Sequence, residues 1–313
     1  MDEGRARSRV RVARGMADRA RKFAAAGLRP AVPRDAATVI LVRPAAGTDG
    51  AAGTDGAAGV EVYLLQRTEA LEFAPGACVF PGGSVDERDA DPGIAETSWA
   101  GPAPADFGHL LGVPAEHARA LVCAAVRETF EESGVLLAGP SPAELVPDSA
   151  ELARDRRALL AGSLSLGELL ARRGLLLRAD LLTPWTRWIT PEFSPRRFDT
   201  WFFAAALPAG QLAGLAAAGS GEARSGTSES GASESGESDS GSWWRPSAAL
   251  AAARAGQITL LPPTAVTLAE LAAYQDVEGI LAERRTITPL LPEVVVEDDR
   301  VWLAMPESIE YPL

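Results

Sequence analysis

The pattern of apolar and polar positions divides the chain into several short strands and one long helix. Thr38-Val39-Ile40-Leu41-Val42 and Val60-Glu61-Val62-Tyr63-Leu64-Leu65 are rich in β-branched and large apolar residues, and Ala77-Cys78-Val79-Phe80 is a shorter run that ends in a Gly-rich turn. Between Ala115 and Ser133, the residues Ala118, Val122, Ala125, Val126 and Thr129 recur at helical spacing. That spacing predicts an amphipathic helix, closed by Gly134 as its C-cap. Arg197-Phe198-Asp199-Thr200-Trp201-Phe202-Phe203 predicts a further strand, 246–255 and 264–273 predict helices, and Val294-Val295-Val296 with Val301-Trp302-Leu303 predicts a hairpin around Asp298-Asp299. Strands and helices mixed along one chain predict an α/β (α+β mixed) class, a mixed sheet covered by helices.

Two low-complexity stretches interrupt this pattern. Residues 45–59 read AAGTDGAAGTDGAAG and predict a long hairpin loop between two strands. Residues 219–242 are dominated by Ser, Gly, Glu and Asp, with no large apolar side chain, and predict a disordered surface excursion.

Composition narrows the class of function. With 313 residues, 47% of them hydrophobic, the chain has enough apolar surface for a sizeable core. Lys+Arg 30 against Asp+Glu 42 leaves a net charge of −12, so no nucleic-acid partner is expected. The charge is uneven: the first 34 residues hold ten basic and three acidic side chains, which predicts a basic, frayed N-terminal arm (1–34) ahead of one domain (35–313). No apolar run is long enough to span a bilayer, and a cytoplasmic location is expected. Cys78 and Cys123 are the only cysteines, so a disulfide scaffold is excluded and a reducing compartment fits. His109 and His117, the only histidines, have no partner visible in the sequence. Trp185, Trp188 and Trp201 read as core rather than as stacking platforms.

The chemistry concentrates in two places. Arg127-Glu128-Thr129-Phe130-Glu131-Glu132-Ser133-Gly134 closes the long helix, and Glu128, Glu131 and Glu132 fall within about 100° of one another around its axis. Three carboxylates on one face repel each other unless a cation sits among them; oxygen donors at this density select a hard divalent ion, Mg²⁺ or Mn²⁺. Taken alone, such a run is also what a solvated helix face looks like. The upstream Phe80-Pro81-Gly82-Gly83 shifts the reading, because consecutive glycines let a backbone approach a ligand or offer a carbonyl to a metal. Arg127 precedes Glu131 by four residues and can fix its rotamer. Arg67 and Arg197 are candidates to clamp substrate phosphates.

Together these residues resemble the signature of the Nudix hydrolases. Gly83 matches its first glycine, and Asp89 stands where its first acid is expected, with Glu87 as an out-of-register substitute. Arg127, Glu128, Glu131, Glu132, Gly134 and Val135 match its second half. Thr129 replaces the usual Leu or Ile, and 37 residues separate the two halves where seven are usual, so the signature carries an insertion at about 90–114 that either shapes the pocket or forms a surface loop. A split signature is similar to that of the Nudix-19-type proteins and the allied coenzyme A diphosphatases. Leu64-Leu65-Gln66-Arg67-Thr68 and Gly76-Ala77-Cys78-Val79-Phe80-Pro81-Gly82-Gly83 also follow that subgroup, although Glu72 stands where a second Arg would fall.

The resemblance implies a Nudix-type α/β/α sandwich with a mixed central sheet and extra C-terminal helices from about 245. It implies metal-dependent hydrolysis of a small-molecule nucleoside diphosphate linked to another moiety, first of all coenzyme A or acyl-coenzyme A. The alternatives are ADP-ribose, NADH or a sugar nucleotide, or a non-catalytic nucleotide-binding module. Glu128, Glu131, Glu132 and the Gly83 carbonyl are the implied metal ligands, with Glu128 a further ligand or the general base. Glu128, Glu131 and Arg127 are the implied catalytic residues, and Arg67, Arg197 and Gly82 the substrate contacts.

Overall fold

The structure is a computed structural model that describes residues 7–12, 14–45, 59–68, 76–214, 238–297 and 300–313. In chain order the strands are β1 (Arg9–Arg11), β2 (Arg34–Pro44), β3 (Val60–Arg67), β4 (Ala77–Val79), β5 (Gly82–Ser84), β6 (Trp99–Ala100), β7 (Ala138–Gly139) and β8 (Leu176–Arg178). They continue with β9 (Thr183–Ile189), β10 (Phe198–Ala206), β11 (Ser238–Trp244), β12 (Thr259–Leu260), β13 (Pro289–Leu290), β14 (Glu293–Glu297) and β15 (Arg300–Ala304). The helices are α1 (Arg14–Ala26), α2 (Pro92–Thr97), α3 (Pro104–Leu111), α4 (Ala115–Ser133), α5 (Ala153–Leu160), α6 (Leu166–Arg173), α7 (Pro246–Arg254), α8 (Pro262–Leu271) and α9 (Val277–Leu281).

The central sheet runs β12-β4-β3-β2-β10-β9-β13, with β11 paired to β3 and β5 to β2. It is mixed: β2 and β10 run parallel, while β2 with β3 and β9 with β10 are antiparallel. Alternation along the strands separates two cores. Val39 and Leu41 of β2, with Trp201 and Phe203 of β10, join Leu121, Val122 and Phe130 of α4 on one face. Ile40 and Val42, with Phe202 and Ala204, pack on the other face with Ala249 of α7 and Leu268 of α8. Because both faces of β2 are covered, it reads as a continuous apolar run instead of an alternating one. The result is the expected three-layer α/β/α arrangement. Ala118, Val122, Ala125, Val126 and Thr129 of the predicted helical stripe are all fully buried, as are Trp185, Trp188 and Trp201.

Several expectations are corrected. The described part of the N-terminal arm is not frayed: β1 pairs with β15, and Val12, Ala17 and Ala20 pack with Phe193 and Val301 in a small core of their own. The arginines had masked an apolar stripe of small residues in α1. The Ser-rich stretch ends earlier than expected, since Ser238–Trp244 forms β11 along β3; side-chain composition did not reveal a strand held by main-chain pairing. Residues 215–237, 46–58 and Asp298-Asp299, on which the loop and turn expectations mainly fall, lie outside the described residues. The strands flanking two of these stretches pair antiparallel as hairpins require, Pro44 with Val60 and Val296 with Val301.

The insertion at about 90–114 is structured. It supplies α2, β6 and α3; β6 pairs with β8, and Phe107 and Leu111 of α3 enter the α4-side core. The extension beyond 245 contains strands as well as helices, since β12 and β13 complete the edges of the central sheet. Among the described residues no helix is long and apolar enough to cross a membrane.

Candidate active site

β5 brings the two glycines against α4. Thr38 pairs with Gly82 and Ala37 with Gly83, and α4 crosses the same strands. Neither glycine has room for a side chain. A Cβ on Gly82 would meet the Ala37 carbonyl oxygen at 2.5 Å, and one on Gly83 would meet Glu128 Oε1 at 2.5 Å. The Gly82 amide donates to Glu132 Oε2 at 2.7 Å. One carboxylate of the helix thus lies on Gly83 while another is tied to Gly82.

Arg127 organises the remaining acids. Its Nε and Nη2 donate to Asp89 Oδ1 and Oδ2 at 3.0 and 2.8 Å, and Nη2 also donates to the Ser84 carbonyl at 2.9 Å. Nη1 donates to Glu128 Oε1 at 2.8 Å and to Glu131 Oε2 at 3.3 Å. Asp89 is only 1% exposed and is presented by a short 3-10 turn, Glu87–Ala90, whose entry Asp86 amide donates to Asp89 Oδ2. Glu87 faces solvent, so Asp89 is the acid in register. Arg127 therefore touches four groups, where local spacing had offered Glu131 alone.

Burial and charge shift the acids in a consistent direction. Removal from water pushes the Glu128 carboxyl above the usual range, against the pull of Arg127, and Glu131 moves the same way for the same reason. Burial also disfavours the Arg127 cation, but its hydrogen bond to Asp89 and the neighbouring glutamates hold its pKa above the ordinary value.

The other candidates separate. Arg67 ends β3 on the face shared by Tyr63 and Leu65, which is the α4 face, and its Nε is buried without a hydrogen-bond partner among the described residues. Arg197 is tied to the backbone. It is 7% exposed, and its guanidinium donates through Nε to the Thr190 carbonyl and through Nη1 to the Ala31 carbonyl. Glu72 lies outside the described residues. His117 stands 2.9 Å from Asp35, a partner that no local spacing reveals. Cys78 and Cys123 are free and buried, with burial raising both thiols.

The sequence reading missed Arg156 of α5, which reaches the Glu131 main-chain carbonyl at 3.0 Å. A signal was present. Leu152, Arg156 and Leu159 are buried at helical spacing, so an arginine stands where the stripe calls for an apolar residue.

A family model described as the NUDT19 Nudix domain matches residues 104–213. Superposed on the crystal structure of a Nudix hydrolase from Alicyclobacillus acidocaldarius, the chain gives a TM-score of 0.57 at 26% identity, over 82% of this chain and 98% of that one. In sequence and in fold the chain is similar to Nudix hydrolases. Among Nudix relatives it is 31% identical to an acyl-coenzyme A diphosphatase NUDT19 of Gallus gallus over 211 residues, 56% of this chain and 55% of that protein. It is 27% identical to the protein of the same name from Xenopus laevis, over 70% of this chain and 62% of that one. It is 29% identical to a putative nudix hydrolase 7 of Caenorhabditis elegans, over 69% and 57%. The matches thus span between about half and three-fifths of the relatives' own lengths.

Nudix hydrolases generally need divalent metals, and the donors here suit one in kind. Glu128, Glu131, Glu132 and the glycine backbone offer oxygen alone, the choice of a hard cation. Among the described residues no three acidic, histidine or cysteine side chains form a ready-made cage. The reason is visible: Arg127 holds Glu128 and Glu131, and Gly82 holds Glu132.

Proposed function

We propose that the chain hydrolyses the diphosphate of coenzyme A or an acyl-coenzyme A, with Mg²⁺ or Mn²⁺. The observation that carries the chemistry is the gathering of Glu128, Glu131 and Glu132 beside Gly82 and Gly83 of β5, around a buried Arg127–Asp89 pair. The substrate class rests on the two similar proteins named acyl-coenzyme A diphosphatase.

Glu131 and Glu132 are the chief metal-holding residues, with Glu128 a further ligand or the general base and the Gly83 carbonyl an additional donor. When bound, a divalent ion neutralises the diphosphate and lowers the pKa of a bound water. Arg127 keeps Glu128 and Glu131 on one side of the helix and, anchored by Asp89, does not follow when they turn to a ligand. Arg67 offers an unpartnered guanidinium nitrogen to a substrate phosphate. The Gly82 amide, released by Glu132, becomes a donor to a phosphate oxygen. The free cysteines suit a reducing cytoplasm.

The test is product analysis with coenzyme A, an acyl-coenzyme A, ADP-ribose, NADH and a sugar nucleotide under each metal. Release of 3′,5′-ADP and a phosphopantetheine, lost in Glu131→Gln and Glu132→Gln, is the expected result. Cleavage of another diphosphate in its place overturns the coenzyme A assignment and leaves the metal site standing. No cleavage at all makes the chain a binding module.

A further inference from the structure

The last turn of α4 carries Glu131 and Glu132, and its carbonyls are at the negative end of the helix dipole with no donors inside the helix. The fold supplies donors to the Phe130, Glu131 and Ser133 carbonyls. Gly134, in the left-handed conformation at φ 74°, donates its amide to the Phe130 carbonyl, and the Gly214 amide donates to the Ser133 carbonyl at 2.7 Å. Arg156 of α5 takes the carbonyl of Glu131 itself, through Nε at 3.0 Å, and reaches the Gly214 carbonyl with Nη2 at 3.1 Å. Its Nη1 lies so near Gly134 that a Cβ there would meet it at 2.7 Å. The guanidinium therefore lies against the helix end and joins α5, the last turn of α4 and the 207–214 segment.

We propose that Arg156 is a positioning residue for the metal-holding glutamates, fixing the main chain from which Glu131 and Glu132 project beside Gly82 and Gly83 of β5. The inference rests on the metal-site reading above. A planar fork bonds two carbonyls at once, which a lysine ammonium on a flexible stem does not reproduce. Arg156 itself touches neither substrate nor metal. Its effect is felt as the spread of positions open to two carboxylates, and therefore as metal affinity.

The test compares the full chain with Arg156→Lys and Arg156→Gln, using Mn²⁺ alone as the probe and electron paramagnetic resonance to count free ion. Circular dichroism and urea unfolding report whether each variant is folded. Arg173→Ala serves as control, because it breaks the pair with Asp155 of α5 without touching α4. The expected result is Mn²⁺ binding about tenfold weaker in Arg156→Lys, in the range seen when a group orienting a metal ligand is changed. Turnover of coenzyme A falls with it while KM stays within about twofold, and Arg173→Ala changes neither.

Unchanged Mn²⁺ affinity in a folded Arg156→Lys, with only the urea midpoint lowered, overturns the inference and leaves Arg156 as a helix cap. If Arg156→Lys does not fold, the same reading is taken from Arg156→Gln, which keeps one planar donor without the charge. Failure of the unaltered chain to bind Mn²⁺ overturns the metal-site reading and this inference together, whereas binding there with unaltered variants overturns this inference alone.

Discussion

Asp89 and Arg127, 38 positions apart, form a two-pronged buried ion pair that ties the Glu87–Ala90 turn to α4. Residues 90–126 fold out into α2, β6 and α3 and return, leaving the pair in place. Asp89→Ala strands the arginine among groups it no longer balances, and breaking a buried pair from one side costs about 3–5 kcal/mol. Urea unfolding should show that loss. Glu87→Ala, at the exposed neighbouring acid, should stay within about 0.5 kcal/mol of the parent.

The two glycines should fail in different ways. Gly83→Ala drives a methyl group into the Glu128 carboxylate, a side chain that can swing away, so the fold should survive while turnover drops. Gly82→Ala meets the Ala37 carbonyl and the Thr38 backbone, which cannot yield so easily. Its thermal midpoint should fall well below that of Gly83→Ala.

Glu131→Gln and Glu132→Gln each keep size and lose charge. A metal supplies several kcal/mol of charge stabilisation, and each 1.36 kcal/mol is tenfold in rate. A loss of about 100-fold or more in kcat is expected for each, measured on whichever diphosphate the parent cleaves.

Acidity provides an independent check on the carboxylates. Glu128 is raised above its unfolded value, so the folded chain holds that proton to higher pH than the unfolded chain does. The stability contributed by the protonated form is therefore lost as pH rises from the ordinary glutamate value, about 4.3, through the raised one. Thermal melts without metal should show this fall in the parent and a smaller one in Glu128→Gln. Saturating Mg²⁺ should offset it in the parent, and a chelator should bring it back.

The two arginines singled out for phosphate should also part company. Arg67→Ala should raise KM about tenfold with little effect on stability, the value of one charge-assisted hydrogen bond. Arg197→Ala removes ties to Thr190 and Ala31, and should cost about 1–3 kcal/mol of stability while KM stays level.

The sequence by itself determined what local spacing can encode. Helical periodicity marked α4 and its buried stripe, runs of β-branched and large apolar residues marked β2, β3 and β10, and Gly134 marked the end of α4. The same spacing put three glutamates on one helix face and two glycines after a short strand, which was enough to point to a metal-held diphosphate. Tertiary structure decided the rest, because pairing in space leaves no regular interval in the chain. Only the folded sheet sets Gly83 under Glu128, only the closed insertion returns Asp89 to Arg127, and only the approach of α5 brings Arg156 to the Glu131 carbonyl. Arg67 and Arg197 look alike as arginines at strand ends; the neighbours of each guanidinium, supplied by distant segments, leave the Arg67 Nε without a partner among the described residues and tie Arg197 to backbone carbonyls.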